Sequence, residues 1–386
     1  MDEVELALSH ALNQTGFPFE HFAFTTAQAQ GWNTRSNRLY IDPEEEKTRE
    51  MDLLCYRYSK GSEVVTVTAV LISCKARTGK PWVLLTRPWP GRNSNWYPYP
   101  PVAVWSNYDV VRHEVEKPAW GLEYFTLADA TGLKNWASDS PQEVFALHEF
   151  DTVQKGGERD KGVMPPRFRA NGDSSMYEGA MSLLKALVYE TQSVQQRKGS
   201  SAERLVYQFN LVQLLDGDLY EAAFKADTPP LVRKVERYRH FARTMLGGKD
   251  FSARIEFCTR PAFAQLLQEL GGVHDFNRVH FDAKVRTFFE TVLSTPDRRD
   301  ALVPELARRL ALYVSVWGSS ERPEGSDWLR VAHSPAGVAI LLTLDEPVIQ
   351  RLRESTHFME HLRRIVRDIY RYSGPIELLP DDDIPF

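Results

Sequence analysis

A single lysine ends an apolar run in the stretch LISCKARTGKPWVLL, residues 71–85. The residues before it are rich in Val, Thr and Ile and predict a buried strand from Val64 to Lys75. Side chains alternate across a strand, so Ser73 and Lys75 share one face and Cys74 points the opposite way, into the core. An amine at the end of a buried strand can do chemistry there, or it can extend to water along the surface.

Two carboxylates lie on the preceding predicted strand, within REMDLL. Glu50 and Asp52 share one face of it by the same alternation. A short turn containing glycine joins the two strands, so we expect them to pair and to bring Asp52 near Ser73 and Lys75. Glu20, on a helix predicted just upstream, is a candidate second carboxylate.

Carboxylates beside a lysine suit phosphoryl chemistry. Carboxylate oxygens hold Mg²⁺, which keeps open positions for water and phosphate oxygens. The metal lowers the pKa of its bound water and stabilises the charge that develops on phosphorus. A nearby lysine orients that water or offsets phosphate charge. The expected cofactor is therefore Mg²⁺ or Mn²⁺.

The order of these segments resembles the PD-(D/E)XK nuclease superfamily, which has the restriction-endonuclease-like fold. GFPFE resembles its first helix, REMDLL one of its first strands, and LISCKARTGKPWV the strand that carries its ExK motif. SMYEGAMSLLKALVYETQ and VYQFNLVQLLDGDLYEA resemble the helix and strands that follow. No single motif is specific, and the resemblance, over roughly residues 12–275, depends on their order and spacing. It implies that Asp52, Lys75, Glu20 and Ser73 are catalytic and that Asp52, Glu20 and Glu50 bind metal.

One position departs from the family pattern, because Ser73 stands where the family has glutamate. A hydroxyl brings no charge, so metal affinity should fall, and three accounts stay open. Another carboxylate substitutes, with Glu50, Glu178 and Glu190 as candidates. Alternatively, metal binds weakly through the remaining ligands, or the site is inactive and the fold is kept for binding.

The most basic short stretch is LVRKVERYRHFARTML, and the formal net charge of the whole chain is −5. Any nucleic-acid site must therefore be a local surface. The stretch is either a phosphate-binding track or the solvated face of a helix. The residues that we predict to bind nucleic acid, DNA above RNA, are Arg233, Lys234, Arg237 and Arg239.

The predicted fold is α/β, with a restriction-endonuclease-like mixed sheet flanked by helices over residues 1–278. An irregular insertion over about 89–174 is dense in Pro and aromatics, then in polar turn residues. Residues 279–386 are predicted to be mostly helical, with an acidic tail and a possible protein partner.

Cys55, Cys74 and Cys258 are far apart and form no CxxC pair, which argues against structural zinc and against a disulfide scaffold. A reducing, cytoplasmic setting is the simpler interpretation. The acidic start MDEVELALSH is unlike a signal peptide, and no apolar run approaches the ~20 residues of a membrane span, so we expect no membrane partner.

The predicted function is metal-dependent hydrolysis of phosphodiester bonds, foremost in DNA. A defence role against foreign DNA follows from analogy with the fold alone. Two alternatives stay open. The first is an inactive nuclease fold that acts as a nucleic-acid-binding or protein-assembly module, and the second is a nuclease that is active only with a partner.

Overall fold

A computed structural model describes residues 2–42, 45–88, 102–137, 142–153, 167–172, 174–226, 228–246, 248–318, 322–334 and 337–381. The chain divides into two compact units. Unit 1 comprises Met1–Asn107 and Pro118–Val279, and unit 2 comprises Tyr108–Lys117 and His280–Phe386.

Helices and strands occur in runs along the chain. The helices are α1 (Glu3–Asn13), α2 (Phe17–Ala29), α3 (Asp109–Val115), α4 (Trp120–Ala130), α5 (Lys134–Ala137), α6 (Ser174–Lys198), α7 (Phe263–Thr291), α8 (Pro296–Asp300), α9 (Val303–Gly318), α10 (Glu346–Glu354) and α11 (Thr356–Tyr370). The strands are β1 (Asn33–Ile41), β2 (Thr48–Lys60), β3 (Val65–Ala76), β4 (Trp82–Pro88), β5 (Ala103–Ser106), β6 (Gln142–Val153), β7 (Arg167–Gly172), β8 (Leu205–Asp216), β9 (Leu219–Lys225), β10 (Thr228–Val235), β11 (Arg237–Leu246), β12 (Lys249–Thr259), β13 (Leu329–Ser334), β14 (Gly337–Leu342) and β15 (Ile376–Pro380).

The larger sheet of unit 1 has the strand order β1-β2-β3-β8-β12-β11, and β5 pairs with β8. The first three strands form an antiparallel meander, whereas β8 is parallel to both β3 and β12. The central strand β3 is almost wholly buried, which explains why its sequence is continuously apolar and β-branched rather than alternating. This α/β arrangement with a mixed sheet confirms the predicted fold class at that level.

Helices cover the sheet. Ala69 and Leu71 of β3 share a buried apolar cluster with Leu183 and Leu187 of α6. The buried residues of α2, which also packs on β1, β2 and β3, are not part of that cluster. Because side chains alternate along β3, we place α2 on the opposite face.

The second sheet of unit 1 has the order β10-β9-β4-β6-β7. The chain passes from the larger sheet into this one twice, from β3 into β4 and from β8 into β9. Strand β3 is parallel to β8 in the first sheet, and β4 is parallel to β9 in the second. The two connecting turns lie close together: a Cβ on Gly217 would be 2.9 Å from the carbonyl oxygen of Arg77. The turn Asp216-Gly217 is therefore a corner between sheets, although an Asp-Gly pair between two strands is also typical of a hairpin.

Two expectations are wrong. The described residues of the insertion are not irregular, because they form α3, α4, α5 and β5–β7. The basic stretch after Leu231 is not helical either. It forms β10 and β11, so its side chains follow the period of a strand.

Unit 2 is built from α8–α11, the later part of α7, α3 and the small sheet β13-β14-β15. Helix α11 buries Leu362, Val366 and Ile369 on one face and begins where the Ser355 hydroxyl accepts the N–H of Phe358. Within the described ranges, no helix is long and apolar enough to cross a membrane.

Candidate active site

The site begins where β2 and β3 stop pairing. Their antiparallel register runs from Lys60 and Val65 to Leu53 and Ile72, and Asp52 is the next residue of β2. The carboxylate oxygen Oδ2 of Asp52 accepts the backbone N–H of Cys74 at 2.6 Å. The side chain of Asp52 thus caps the end of the ladder.

Regular alternation in β2 is interrupted at the same place. Met51 and Leu54 both belong to the core under α6, although they are three residues apart. Strict alternation would put them on opposite faces, so the strand twists between them, at Asp52 and Leu53. A twist at this point lets the Asp52 carboxylate turn from the core toward the end of the ladder, where it accepts the Cys74 N–H.

The charges around Asp52 form a compact group. Burial raises the pKa of Asp52, and Glu50 raises it further, while the Cys74 N–H, Lys75 and the Ser73 hydroxyl oppose the rise. The Ser73 side chain lies within hydrogen-bonding reach of the carboxylate and is buried. The structure therefore brings Asp52, Ser73 and Lys75 together as predicted.

Glu20 projects from the first turns of α2 toward the same group. Burial raises the pKa of Glu20, and the charges of Asp52 and Glu50 raise it further, while Lys75 lowers it. A carboxylate surrounded by like charges gains most from a bound cation. Lys75 is partly exposed and, within the described part of the chain, makes no ion pair, so its amine is available.

The other candidate carboxylates lie in different settings. Glu50 is exposed, and its Oε1 accepts the amide of Asn37 at 2.7 Å. Glu178 is exposed on α6. Glu190 is buried farther along α6, where it pairs with Arg38 at 2.7 Å and is not brought to Asp52.

Gln213 supports the site, although its sequence context had not identified it. It lies on β8 in register with Ser73, is fully buried, and donates from Nε2 to the Ser73 carbonyl oxygen at 3.1 Å. Its Oε1 packs against Gly179 of α6, where any side chain would collide with it. The only sequence signal was one amide in the apolar run LVQLL.

The four predicted nucleic-acid-binding residues do not form an open cationic track. Each is paired with a carboxylate, and the pairs are Arg233–Glu221, Lys234–Asp218 at 2.6 Å, Arg237–Glu269 at 2.8 Å and Arg239–Glu256 at 3.1 Å. Four cations are matched by four anions, so this surface carries little net charge for a phosphate backbone.

In the part of the chain that the structure describes, the candidate metal ligands are the side chains grouped around Asp52. Among the described residues, no group of three or more His, Cys, Asp or Glu side chains is arranged to hold a metal ion. The donors that do converge are carboxylate and hydroxyl oxygens, the kind that Mg²⁺ prefers. Mg²⁺ commonly uses one or two protein carboxylates and keeps several waters, and this donor set fits that pattern.

No protein-family model, curated protein or solved structure matches this chain.

Proposed function

We propose that this chain is a metal-dependent nuclease that hydrolyses phosphodiester bonds, foremost in DNA. The observation that carries the proposal is the position of Asp52, at the point where two strands separate, beside Ser73 and Lys75. A half-buried carboxylate, a second carboxylate from a helix and an unpaired amine converge there. This is the set of groups that metal-assisted phosphoryl transfer requires.

The topology supports the same proposal. Helix α2 is followed by the meander β1-β2-β3; after β4, β5, α3–α5, β6 and β7, the chain continues into α6 and then into β8, which is parallel to β3. This is the order of elements expected for a PD-(D/E)XK nuclease, and the site lies at the strand ends where such an enzyme would carry it. The likeness rests on connectivity and residue placement alone.

Each residue has a role in the proposed reaction. Asp52 and Glu20 would hold Mg²⁺ or Mn²⁺, with Ser73 contacting the ion or its water and Glu50 at the rim. When bound, the ion would supply an activated water and stabilise negative charge on phosphorus. Lys75 would position the attacking water or offset phosphate charge. Gln213 would hold the Ser73 backbone in place.

A second candidate function is an inactive nuclease fold that binds nucleic acid or a protein partner. Ser73 favours it, because the expected carboxylate is missing. Against it stands the grouping of Asp52, Lys75 and Glu20, which a purely structural sheet end has no need to assemble. The buried, free thiols of Cys55, Cys74 and Cys258 suit a reducing compartment under either proposal.

The deciding experiment compares wild type, Asp52→Ala and Lys75→Ala in cleaving plasmid DNA, single-stranded DNA and RNA with Mg²⁺ or Mn²⁺. We expect metal-dependent cutting that each substitution lowers by roughly 100-fold or more. Matched controls are Asp250→Ala and Lys47→Ala, which remove exposed charges elsewhere and should leave cutting intact. Equal cutting by all variants would mean a contaminating nuclease. Binding without cutting would favour the second candidate function.

A further inference from the structure

Three arginines surround one buried carboxylate of α6, near the sheet edge that β1 forms. Glu190 of α6 is 3% exposed, and its Oε1 lies 2.7 Å from Arg38 Nη1. Arg197 Nη2 lies 3.8 Å from the other carboxylate oxygen. Burial raises the pKa of Glu190, and the nearby charges of Arg38, Arg197 and Arg35 oppose that rise. The group is held together, because Arg38 and Arg197 both donate to the hydroxyl of Ser193, at 3.4 and 3.2 Å.

The charge balance of this group differs from that of the predicted basic stretch. Three guanidinium groups face a single carboxylate, so at most one positive charge is neutralised and two remain. On β10 and β11, by contrast, every cation has its own anion. Arg35 is exposed and Arg197 is 50% exposed, so both can reach an external anion.

The position of these arginines follows from strand register. Arg38 pairs with Met51 and Arg35 pairs with Leu54, so the two arginines of β1 flank Asp52 on the neighbouring strand. From strand spacing and rise, their Cα atoms lie roughly 6 and 8 Å from that of Asp52. Among the described strands, β1 is the outer edge of the sheet, so no further described strand covers Arg35 and Arg38.

We propose that Arg35, Arg38 and Arg197 form a phosphate-binding patch along the β1–α6 edge, which holds the nucleic-acid strand as it leads away from Asp52. The inference rests on the proposed nuclease function and assigns its backbone contact to the β1–α6 edge rather than to β10 and β11. Guanidinium groups suit this task because they bind phosphate oxygens in a bidentate manner. Arg38 also lies over the ring of Tyr189, 5.8 Å from its centroid, which fixes its orientation.

The roles within the patch are unequal. Arg38 is only 20% exposed and satisfies Glu190, so its removal would leave a buried charge unpaired. Arg35 and Arg197 supply the surplus charge. The informative variant is therefore Arg35→Ala/Arg197→Ala, which keeps the Arg38–Glu190 pair and should fold as wild type does.

The test measures binding of labelled 20-nucleotide DNA and RNA single strands in EDTA, as a function of salt. Loss of two phosphate contacts should weaken binding roughly 25-fold at 0.1 M salt and reduce the slope of log K against log salt by about 1.4. The matched control is Arg243→Ala/Arg308→Ala, which removes two exposed arginines that pair with Asp250 and with Glu305, the latter shared with Arg309. The control should leave affinity and slope unchanged.

Three outcomes would overturn the patch. Wild type could bind neither strand, or the double variant could keep the full affinity and slope. In the third, poly-glutamate binds the wild type as tightly as the oligonucleotides do, and the double variant binds neither. That result would identify an acidic protein partner instead. If the arginines of β1 serve only to prevent this edge strand from pairing with another chain, the double variant will keep the wild-type slope of log K against log salt. Because EDTA removes catalysis from the measurement, binding lost in the double variant would support the patch even if the wild type proved unable to cut.

Discussion

The backbone N–H of Cys74 donates to Oδ2 of Asp52 at 2.6 Å, across the point where β2 and β3 separate. A side-chain carboxylate thereby stands in for a strand partner. The same carboxylate lies within hydrogen-bonding reach of the Ser73 hydroxyl. Ser73 and Lys75, on either side of Cys74, are held at fixed positions by the same contact.

Introducing a carboxylate at Ser73 should strengthen metal binding. Ser73→Glu would restore the charge that the ExK pattern places beside Asp52, so we expect the Mg²⁺ concentration for half-maximal cleavage to fall roughly tenfold. Ser73→Gln is the matched control, since it adds the same bulk at this buried position without the charge. Identical metal titrations for the two variants would argue against a metal site here.

Removing the charge of Glu20 should stabilise the metal-free protein. Burial, Asp52 and Glu50 raise the pKa of Glu20 in the folded protein above its value in the unfolded chain, near 4.5. The contribution of Glu20 to the free energy of unfolding is therefore fully present below pH 4.5, and it is lost as the pH rises through the pKa of the folded state. At pH 7 we therefore expect Glu20→Gln to raise the free energy of unfolding by up to ~1 kcal/mol, and the gain should vanish below pH 4.5. Denaturant unfolding at both pH values measures it.

The same variant tests the metal. Mg²⁺ should raise the melting temperature of the wild type more than that of Glu20→Gln, because the variant lacks one of the carboxylates that would hold the ion. Glu178→Gln, which removes an exposed glutamate of α6, is the control. If Glu178→Gln rather than Glu20→Gln loses the Mg²⁺ shift, then Glu178 is the substitute ligand.

Adding one methyl group under α6 should destabilise the protein. A Cβ at position 179 would collide with Gln213, which is fully buried and fixes the Ser73 carbonyl. We expect Gly179→Ala to cost about 1–3 kcal/mol in denaturant unfolding. The control is Gly121→Ala in α4, where no neighbouring atom lies within 4 Å and the change should be neutral or stabilising. A Gly179→Ala variant as stable as wild type would contradict the packing described here.

Acid should destabilise the protein partly through His240 of β11. Burial lowers the pKa of His240 to about 4, against 6.5 when unfolded. Between these values the unfolded chain takes up a proton that the folded chain refuses, so the free energy of unfolding falls as pH falls. At pH 5 the expected loss is about 2 kcal/mol, and His240→Leu should remove it. The comparison is urea unfolding at pH 7.5 and 5, with the exposed His10→Leu as control. A steep pH slope retained in His240→Leu would place the effect elsewhere.

Segments with strong local signals could be predicted from the sequence. The helix after Gly16, the strands around Asp52 and Ser73, helix α6 and strand β8 have clear periodicity and clear turn residues. The pairing of β2 with β3 followed from one short turn, and with it the grouping of Asp52, Ser73 and Lys75. That part of the site is local in sequence, which is why the pattern contained it.

Other features depend on contacts between distant segments. Asp216-Gly217 suits a hairpin and a corner between sheets equally well, and only the partner strands decide which forms. The carboxylate partners of the four basic residues near position 235 come from other segments of the chain, so the sequence pattern did not show that their charges are neutralised. The grouping of Arg35 and Arg38 with Arg197 could not be predicted, because Arg197 is about 160 residues away in sequence.

Unit 2 draws in the short helix α3, whose residues come from the middle of the chain. Arg298 donates to Glu114 at 3.1 Å, and His113 pairs with Asp297 at 3.0 Å. The polypeptide therefore passes between the two units at three places, before Tyr108, after Lys117 and after Val279. A truncation after Val279 would discard most of unit 2 and leave α3 without its partners, while a fragment starting at His280 would lack α3 altogether. Because unit 2 takes α3 from the middle of the chain, no single cut in the polypeptide yields both units complete.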